Sequence, residues 1–317
     1  MKWKVISLIM IFTLTTSGLI GCSTTNQIQL VEGKVNIVTS FYPLYDFARQ
    51  IGGEYAHVIN LVPAGVEPHD WTPKSGVMRS LTKADVFVYS GVGFEGWVDD
   101  FLGSLKTDSS LLVIEASEGL ALLPATEEAG HEEEAGHEDE HAHGAFDPHV
   151  WLSPVNALLM AEHIRDGLIQ ADPDHQVAYE TNFAQLAENL KMLDEKFRTT
   201  LASLPRNEIA VSHEAFGYLC HEYNLTQMAI MGLSPDAEPT AKKIQEVNAF
   251  IQEQGITHIF FEELLSDKLA KTLAKDLNIE TMVLSPIEGL TEEQVTSGQN
   301  YISLMEQNLI NLTKALQ

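Results

Sequence analysis

Apolar and polar positions along this chain fall into short blocks that alternate between two periods. Runs dense in branched and aromatic residues at 35–40, 58–61, 85–89 and 111–114 predict strands. Between them, three- and four-residue spacing predicts helices over 43–51, 73–81 and 97–105, the first closed by Gly52 and Gly53. The second half repeats the rhythm, with strands at 208–211, 226–230, 256–261 and 281–284 and helices at 214–223, 241–254 and 301–316. A further helix there carries Leu269, Leu273 and Leu277 on one face, with Ser266 as its cap. Apolar strands that alternate with helices indicate parallel βαβ units.

Two helices occupy the middle. Ser153 reads as an N-cap with Pro154 at the first helical position, opening a helix to about residue 170. One long helical pattern then runs over 173–204, with Leu186, Leu190, Leu193, Phe197, Leu201 and Leu204 forming a single apolar stripe. At 1.5 Å per residue it reaches roughly 45 Å before Pro205 stops it. Such a helix suits bracing two lobes better than a crossover within one. The expected fold is α/β: two Rossmann-like βα lobes, 35–171 and 206–317, joined by a linking helix over 172–205. No close internal sequence repeat is visible.

Residues 1–21 break from this pattern. Lys2 and Lys4 precede an apolar stretch that ends at Leu19-Ile20-Gly21-Cys22. The stretch is short for a membrane-spanning helix, and small residues before Cys22 are a cleavage feature. It resembles a bacterial lipobox, which implies a lipoprotein signal peptide and lipidation of Cys22. Residues 22–34 then form a tether, placing the protein at the cell membrane on its extracytoplasmic face. Cys220, the other cysteine, is left without a partner and reads as an inert core thiol.

Charge narrows the function. A net charge of −26 over 317 residues argues against nucleic-acid binding and suits cations. The run at 127–145 holds His131, His137, His141 and His143 among eight acidic residues, with no branched or aromatic side chain to order it on a core. Its reading is a disordered loop that collects metal weakly. Within it, His137-Glu138-Asp139-Glu140-His141 fits the zinc-protease pattern, but that pattern needs a stable helix with an apolar face.

Four residues in distinctive contexts carry the main chemistry. They are His69 in Glu67-Pro68-His69-Asp70-Trp71, His149 in Asp147-Pro148-His149-Val150-Trp151, His213 in Ser212-His213-Glu214-Ala215-Phe216 and Glu288 in Ser285-Pro286-Ile287-Glu288. Three imidazoles and a carboxylate are the set zinc prefers, and each half of the chain supplies two. His213 and Glu288 follow strands directly, where open α/β sheets bind ligands. Prolines at 68, 148 and 286 stiffen three of the four positions. His57, His163, His175, His221 and His258 lack such contexts and read as surface or satisfied side chains.

These motifs, taken in order, resemble the zinc-binding solute-binding lipoproteins of bacterial ABC importers over nearly the whole mature chain. The resemblance implies a metal site in the cleft between the lobes, formed by His69, His149, His213 and Glu288. It implies Zn²⁺ as transported ligand, an ABC permease with its ATPase as partner, a monomer and no enzymatic activity. Relatives that carry manganese place a carboxylate where His213 stands, so His213 favours zinc. Some zinc members replace the fourth carboxylate with water, which makes Glu288 the less secure ligand. The alternatives are a manganese- or iron-binding lipoprotein with an adhesin-like surface role and, more remotely, a zinc hydrolase. Gly91-Val92-Gly93-Phe94-Glu95-Gly96 matches a dinucleotide-binding pattern. It lies outside the first βα turn, and its acidic neighbours would repel a pyrophosphate, so it reads as a tight turn.

Overall fold

The computed structural model describes residues 28–125, 145–235 and 238–317. Two all-parallel sheets of four strands each organise it. The first contains β1 (Val35–Thr39), β2 (Ala56–Asn60), β3 (Val86–Tyr89) and β4 (Leu112–Glu115), in the order β2-β1-β3-β4. The second contains β5 (Glu208–Val211), β6 (Thr226–Ala229), β7 (His258–Phe261) and β8 (Glu280–Val283), in the order β6-β5-β7-β8. The two orders are the same, although no sequence repeat betrays it. Each sheet reverses its direction of strand addition at one point, β1/β3 or β5/β7, and ligands bind at such switch points.

The same polar device sits at both switch points. The Ser40 hydroxyl, just past β1, donates to Glu95 at 2.5 Å. The Ser212 hydroxyl, just past β5, donates to Glu262. In the first half Glu95 also accepts the backbone N–H groups of Ser90 and Gly91. The glycine-rich turn after β3 therefore folds over its own carboxylate and not over a phosphate. Gly91 and Gly93 take positive φ there (90° and 75°), which glycine adopts without steric cost.

Helices of the first half are α1 (Tyr42–Gly52), α2 (Ser75–Leu81) and α3 (Val98–Ser104). Then come α4 (Pro154–Ala171) and α5 (Gln176–Leu201). Ser153 caps α4 as expected, its hydroxyl accepting the Asn156 N–H. The long helix has 26 residues, so it spans about 39 Å, shorter than the sequence pattern suggests. Its first turn is a separate 3-10 segment, Pro173–His175.

The second half adds α6 (Gly217–Tyr223), α7 (Ala241–Gln254), α8 (Lys268–Leu277), α9 (Glu292–Thr296) and α10 (Tyr301–Leu316). Two local expectations are corrected here. Helix α6 starts at Gly217 and not at 214, because residues 212–216 form a turn at the sheet edge. Asp267, not Ser266, precedes α8, and it makes no side-chain cap. The five-residue α9, opened by a Thr291–Gln294 capping box, has too short a pattern to be read from periodicity.

One large core is common to both halves. It joins α1 and α4 with the α5 stripe, α6 and α10, including Phe47, Leu168, Leu190, Phe197, Phe216, Tyr301 and Leu309. Leu186, Leu190, Leu193, Phe197 and Leu201 are all buried. Each contributes roughly 1.5–3 kcal/mol, so prising α5 from either half is costly. The long helix is a brace packed on α1, α4, α6 and α10. Smaller clusters, around Phe87 and Phe101 in the first half and Val247 and Ile251 in the second, cover the outer sheet faces.

Candidate metal centre

The proposed ligands lie in loops and turns outside the regular elements. His69 lies in the loop between β2 and α2, where its backbone N–H donates to Glu67 Oε1 at 3.0 Å. His149 immediately precedes a 3-10 turn, Val150–Leu152. His213 is two residues past β5 and Glu288 five past β8. Ile287, fully buried, takes φ +58°, a strained conformation for a β-branched residue that turns the chain into Glu288. Asn308 of α10 holds the start of this turn, accepting the Ser285 N–H at 2.8 Å and donating to its carbonyl at 2.7 Å.

The four side chains converge, although up to 219 residues separate them in sequence. His149 Nε2 lies 3.3 Å from His69 Nε2, 3.3 Å from His213 Nε2 and 3.3 Å from Glu288 Oε1. Glu288 Oε1 is 3.3 Å from His69 Nε2 and 3.7 Å from His213 Nε2. Zinc bonds of about 2.0–2.1 Å put tetrahedral donors about 3.3 Å apart, so the cluster fits a zinc ion. His149, His213 and Glu288 are buried, and His69 is partly exposed, although only 8% of its side chain is open to solvent. Among the described residues this is the one group of His, Cys, Asp and Glu side chains placed to hold a metal ion.

Two carboxylates behind the ligands fix which imidazole nitrogen faces inward. Asp147 Oδ1 accepts His149 Nδ1–H at 2.8 Å, and Glu262 Oε1 accepts His213 Nδ1–H at 2.7 Å. A carboxylate can only accept, so the proton sits on Nδ1 and the Nε2 lone pair points to the site. Glu262, at the β7 end of the β5/β7 switch point, escaped sequence reasoning. Glu262-Glu263 reads as solvated charge until β5 and β7 are known to be neighbours. An aromatic wall completes the pocket. Phe94 packs on His69 with ring centroids 5.0 Å apart, and Trp151 lies 5.4 Å from His149 and 4.9 Å from Phe94.

Electrostatics in the metal-free cluster follow from this packing. Burial opposes charge on His149, but hydrogen bonds to Asp147 and Glu288 outweigh it and push its pKa up to about 10. His213 is likewise raised: burial opposes its charge, and the Glu262 carboxylate overcomes that. Burial would raise Glu288, but the three imidazoles hold it well below the usual carboxylate range. The site is thus built to balance one or more positive charges against Glu288.

Residues 37–315 match the family described as zinc-uptake complex component A, periplasmic. The chain belongs to this family. It is 42% identical over 291 residues to the zinc-binding lipoprotein AdcA of Streptococcus pneumoniae, covering 92% of this chain and 57% of that protein. The chain therefore spans little more than half the length of that relative. It is 39% identical over 315 residues to the high-affinity zinc uptake system protein ZnuA of Bacillus subtilis, covering 99% of this chain and 98% of the relative. Among solved structures it is similar to the Zn(II)-bound ZnuA-like domain of S. pneumoniae AdcA, with TM-score 0.76 and 40% identity, over 90% of this chain and 99% of that one. The zinc-uptake fold, two parallel-sheet lobes and a long helix, is the one the alternating pattern implies.

Cys22 and the histidines at 131, 137, 141 and 143 fall outside the described residues. The His163 Nδ1–H donates to the Ala116 carbonyl, and His175 stacks on Tyr55, so neither joins the centre. Cys220 is free and buried, and burial pushes its thiol pKa up, as an inert core thiol requires.

Proposed function

We propose that this protein captures Zn²⁺ outside the cytoplasm through His69, His149, His213 and Glu288 and delivers it to the permease of an ABC importer, which a separate ATPase powers. The observation that carries this reading is the donor spacing of 3.3–3.7 Å around Glu288 Oε1. Three nitrogens and one oxygen suit zinc better than the harder manganese ion. Four protein donors complete a tetrahedral shell and leave no open position for the water that a zinc hydrolase activates. Names of the relatives point the same way. Lipidation at Cys22 would hold the protein, as a monomer, at the membrane beside its permease, and the histidines of the 127–145 run would collect zinc weakly nearby.

Equilibrium dialysis and elemental analysis test the site. Protein lacking residues 127–145 should retain one tightly bound zinc, and the same protein with His213→Ala should lose it. Retention of zinc by the His213→Ala protein would overturn the ligand set. Loss of all zinc on deletion of 127–145 alone would move the tight site into that run.

A further inference from the structure

We propose that Gly217 and Tyr218, in the second half of the chain, are positioning residues for His149 in the first, acting through Asp147. The inference rests on the reading of His149 as a zinc ligand.

Asp147 is buried, and both of its functional groups are engaged. Oδ1 accepts the His149 Nδ1–H at 2.8 Å and the His149 backbone N–H at 2.9 Å. Its backbone carbonyl accepts the Tyr218 hydroxyl at 2.9 Å, and that hydroxyl in turn accepts the Leu123 N–H at 3.0 Å. The Leu123 carbonyl closes the ring by accepting the Asp147 N–H at 2.9 Å. Burial pushes the Tyr218 pKa up to about 12, so the hydroxyl remains a donor at any ordinary pH.

The outer oxygen, Oδ2, is held differently. A Cβ added to Gly217 would lie 2.2 Å from Asp147 Oδ2 and 3.4 Å from its Cγ. No side chain longer than hydrogen fits at 217 while the carboxylate keeps its place. Gly217 opens helix α6 without a positive φ, so its backbone would accept alanine readily. Glycine is required there by the carboxylate, not by the chain's own conformation. Alanine would push aside the end of one side chain and not backbone, so the fold can survive the change. That movement would pull Oδ1 away from His149.

The segment from Ser212 to Tyr218 therefore does two things. It supplies His213 to the site, and four residues later it grips the carboxylate that orients a ligand from the other half. His149 presents its Nε2 lone pair correctly only while the two halves are in contact here. Metal affinity and apposition of the lobes are coupled through Asp147.

A double-mutant cycle tests this in the full chain. Zinc affinity is measured by competition with a chelating fluorophore, coordination geometry by the visible spectrum of the Co²⁺ form, and folding by the melting of the metal-free protein. Gly217→Ala should weaken zinc roughly tenfold, as loss of an outer-shell partner does, and alter the Co²⁺ bands while the metal-free protein still folds and melts cooperatively. In an Asp147→Ala background the same Gly217→Ala change should have no further effect, because no carboxylate remains to be displaced. Tyr218→Phe keeps the ring and removes only the hydroxyl, and its effect on zinc should likewise shrink when Asp147 is alanine. An unchanged affinity and Co²⁺ spectrum for Gly217→Ala would overturn the proposal, as would equal losses with and without the Asp147 carboxylate. His149→Ala separates the two readings: if it keeps full zinc affinity, the ligand assignment itself fails.

Discussion

The indole nitrogen of Trp151 donates a 2.7 Å hydrogen bond to the carbonyl of Pro286. Trp151 lies two residues beyond His149, and Pro286 two residues before Glu288, so the bond ties together the backbones that carry two of the proposed ligands, from opposite halves. Trp151 is fully buried and packs edge-on against Phe41, with ring centroids 4.6 Å apart. Its carbonyl accepts the Tyr301 hydroxyl at 2.5 Å. The loops themselves are also joined, since the Gly65 N–H donates to the Leu290 carbonyl at 2.7 Å.

Trp151→Phe should keep an aromatic ring in the wall but leave the Pro286 carbonyl without its donor. A buried polar group deprived of its partner costs about 1–3 kcal/mol. Urea unfolding of the metal-free variant should show a loss of that order, accompanied by weaker zinc binding. Wild-type stability and affinity in this variant would show the bond to be dispensable.

Glu262→Gln retains an acceptor for His213 Nδ1–H but removes the negative charge behind the imidazole. Outer-shell changes cost roughly 10–100-fold in metal affinity, and this one should fall in that range. His213→Ala, which removes a ligand outright, should cost more. Competition titration ranks the two, and the reverse order would contradict the assignment of His213 to the shell.

Zinc must displace the proton that the metal-free site holds. With the His149 pKa raised to about 10, that proton competes throughout the neutral range. Affinity should therefore rise steadily as pH is raised from about 6 to 9, beyond the window expected from the ordinary His value of about 6.5. Calorimetry in buffers of different ionisation enthalpy should register the released proton. Affinity that is flat across this interval would sink the idea.

Stability of the metal-free protein should carry the same signatures with opposite signs. His149 is raised, so its contribution is complete below about pH 6.5 and is lost as pH climbs through about 10. Glu288 is lowered, so its contribution is present above the ordinary Glu value of about 4.3 and is lost as pH falls through its depressed folded value. Glu95 behaves differently: burial pushes its pKa up to about 7, although hydrogen bonds from Ser40, Ser90 and Gly91 oppose the rise. The folded state then holds a proton that the unfolded state has released, so this carboxyl costs stability as pH rises from about 4.3 to 7. Relative to wild type, Glu95→Gln should gain stability between pH 5 and pH 8. Urea midpoints in the presence of a chelator test this, since the titration of the zinc ligands cancels in the difference.

Local order was legible from the residues. Runs of branched and aromatic residues located all eight strands of the described residues, and three- to four-residue spacing most of the helices, because backbone geometry within an element sets which side chains share a face. Proline beside His69, His149 and Glu288 marked the stiff turns, and the motif contexts, with the family resemblance they carry, nominated the four side chains that converge. Glu262 carried no such mark, and Gly217 and Tyr218 only closed the motif that begins at Ser212, with no role assigned. Their roles depend on which strands are adjacent and which carboxylate fills the space beside a glycine, and neither has a period in the chain. The matching strand orders of the two sheets, the core shared through α5 and the 3.3 Å approach of His69 to Glu288 across 219 residues arise from packing alone. Periodicity records what a residue needs from its neighbours three or four positions away. The metal centre is made where segments far apart in sequence bury one another's apolar surface and bring their polar ends together.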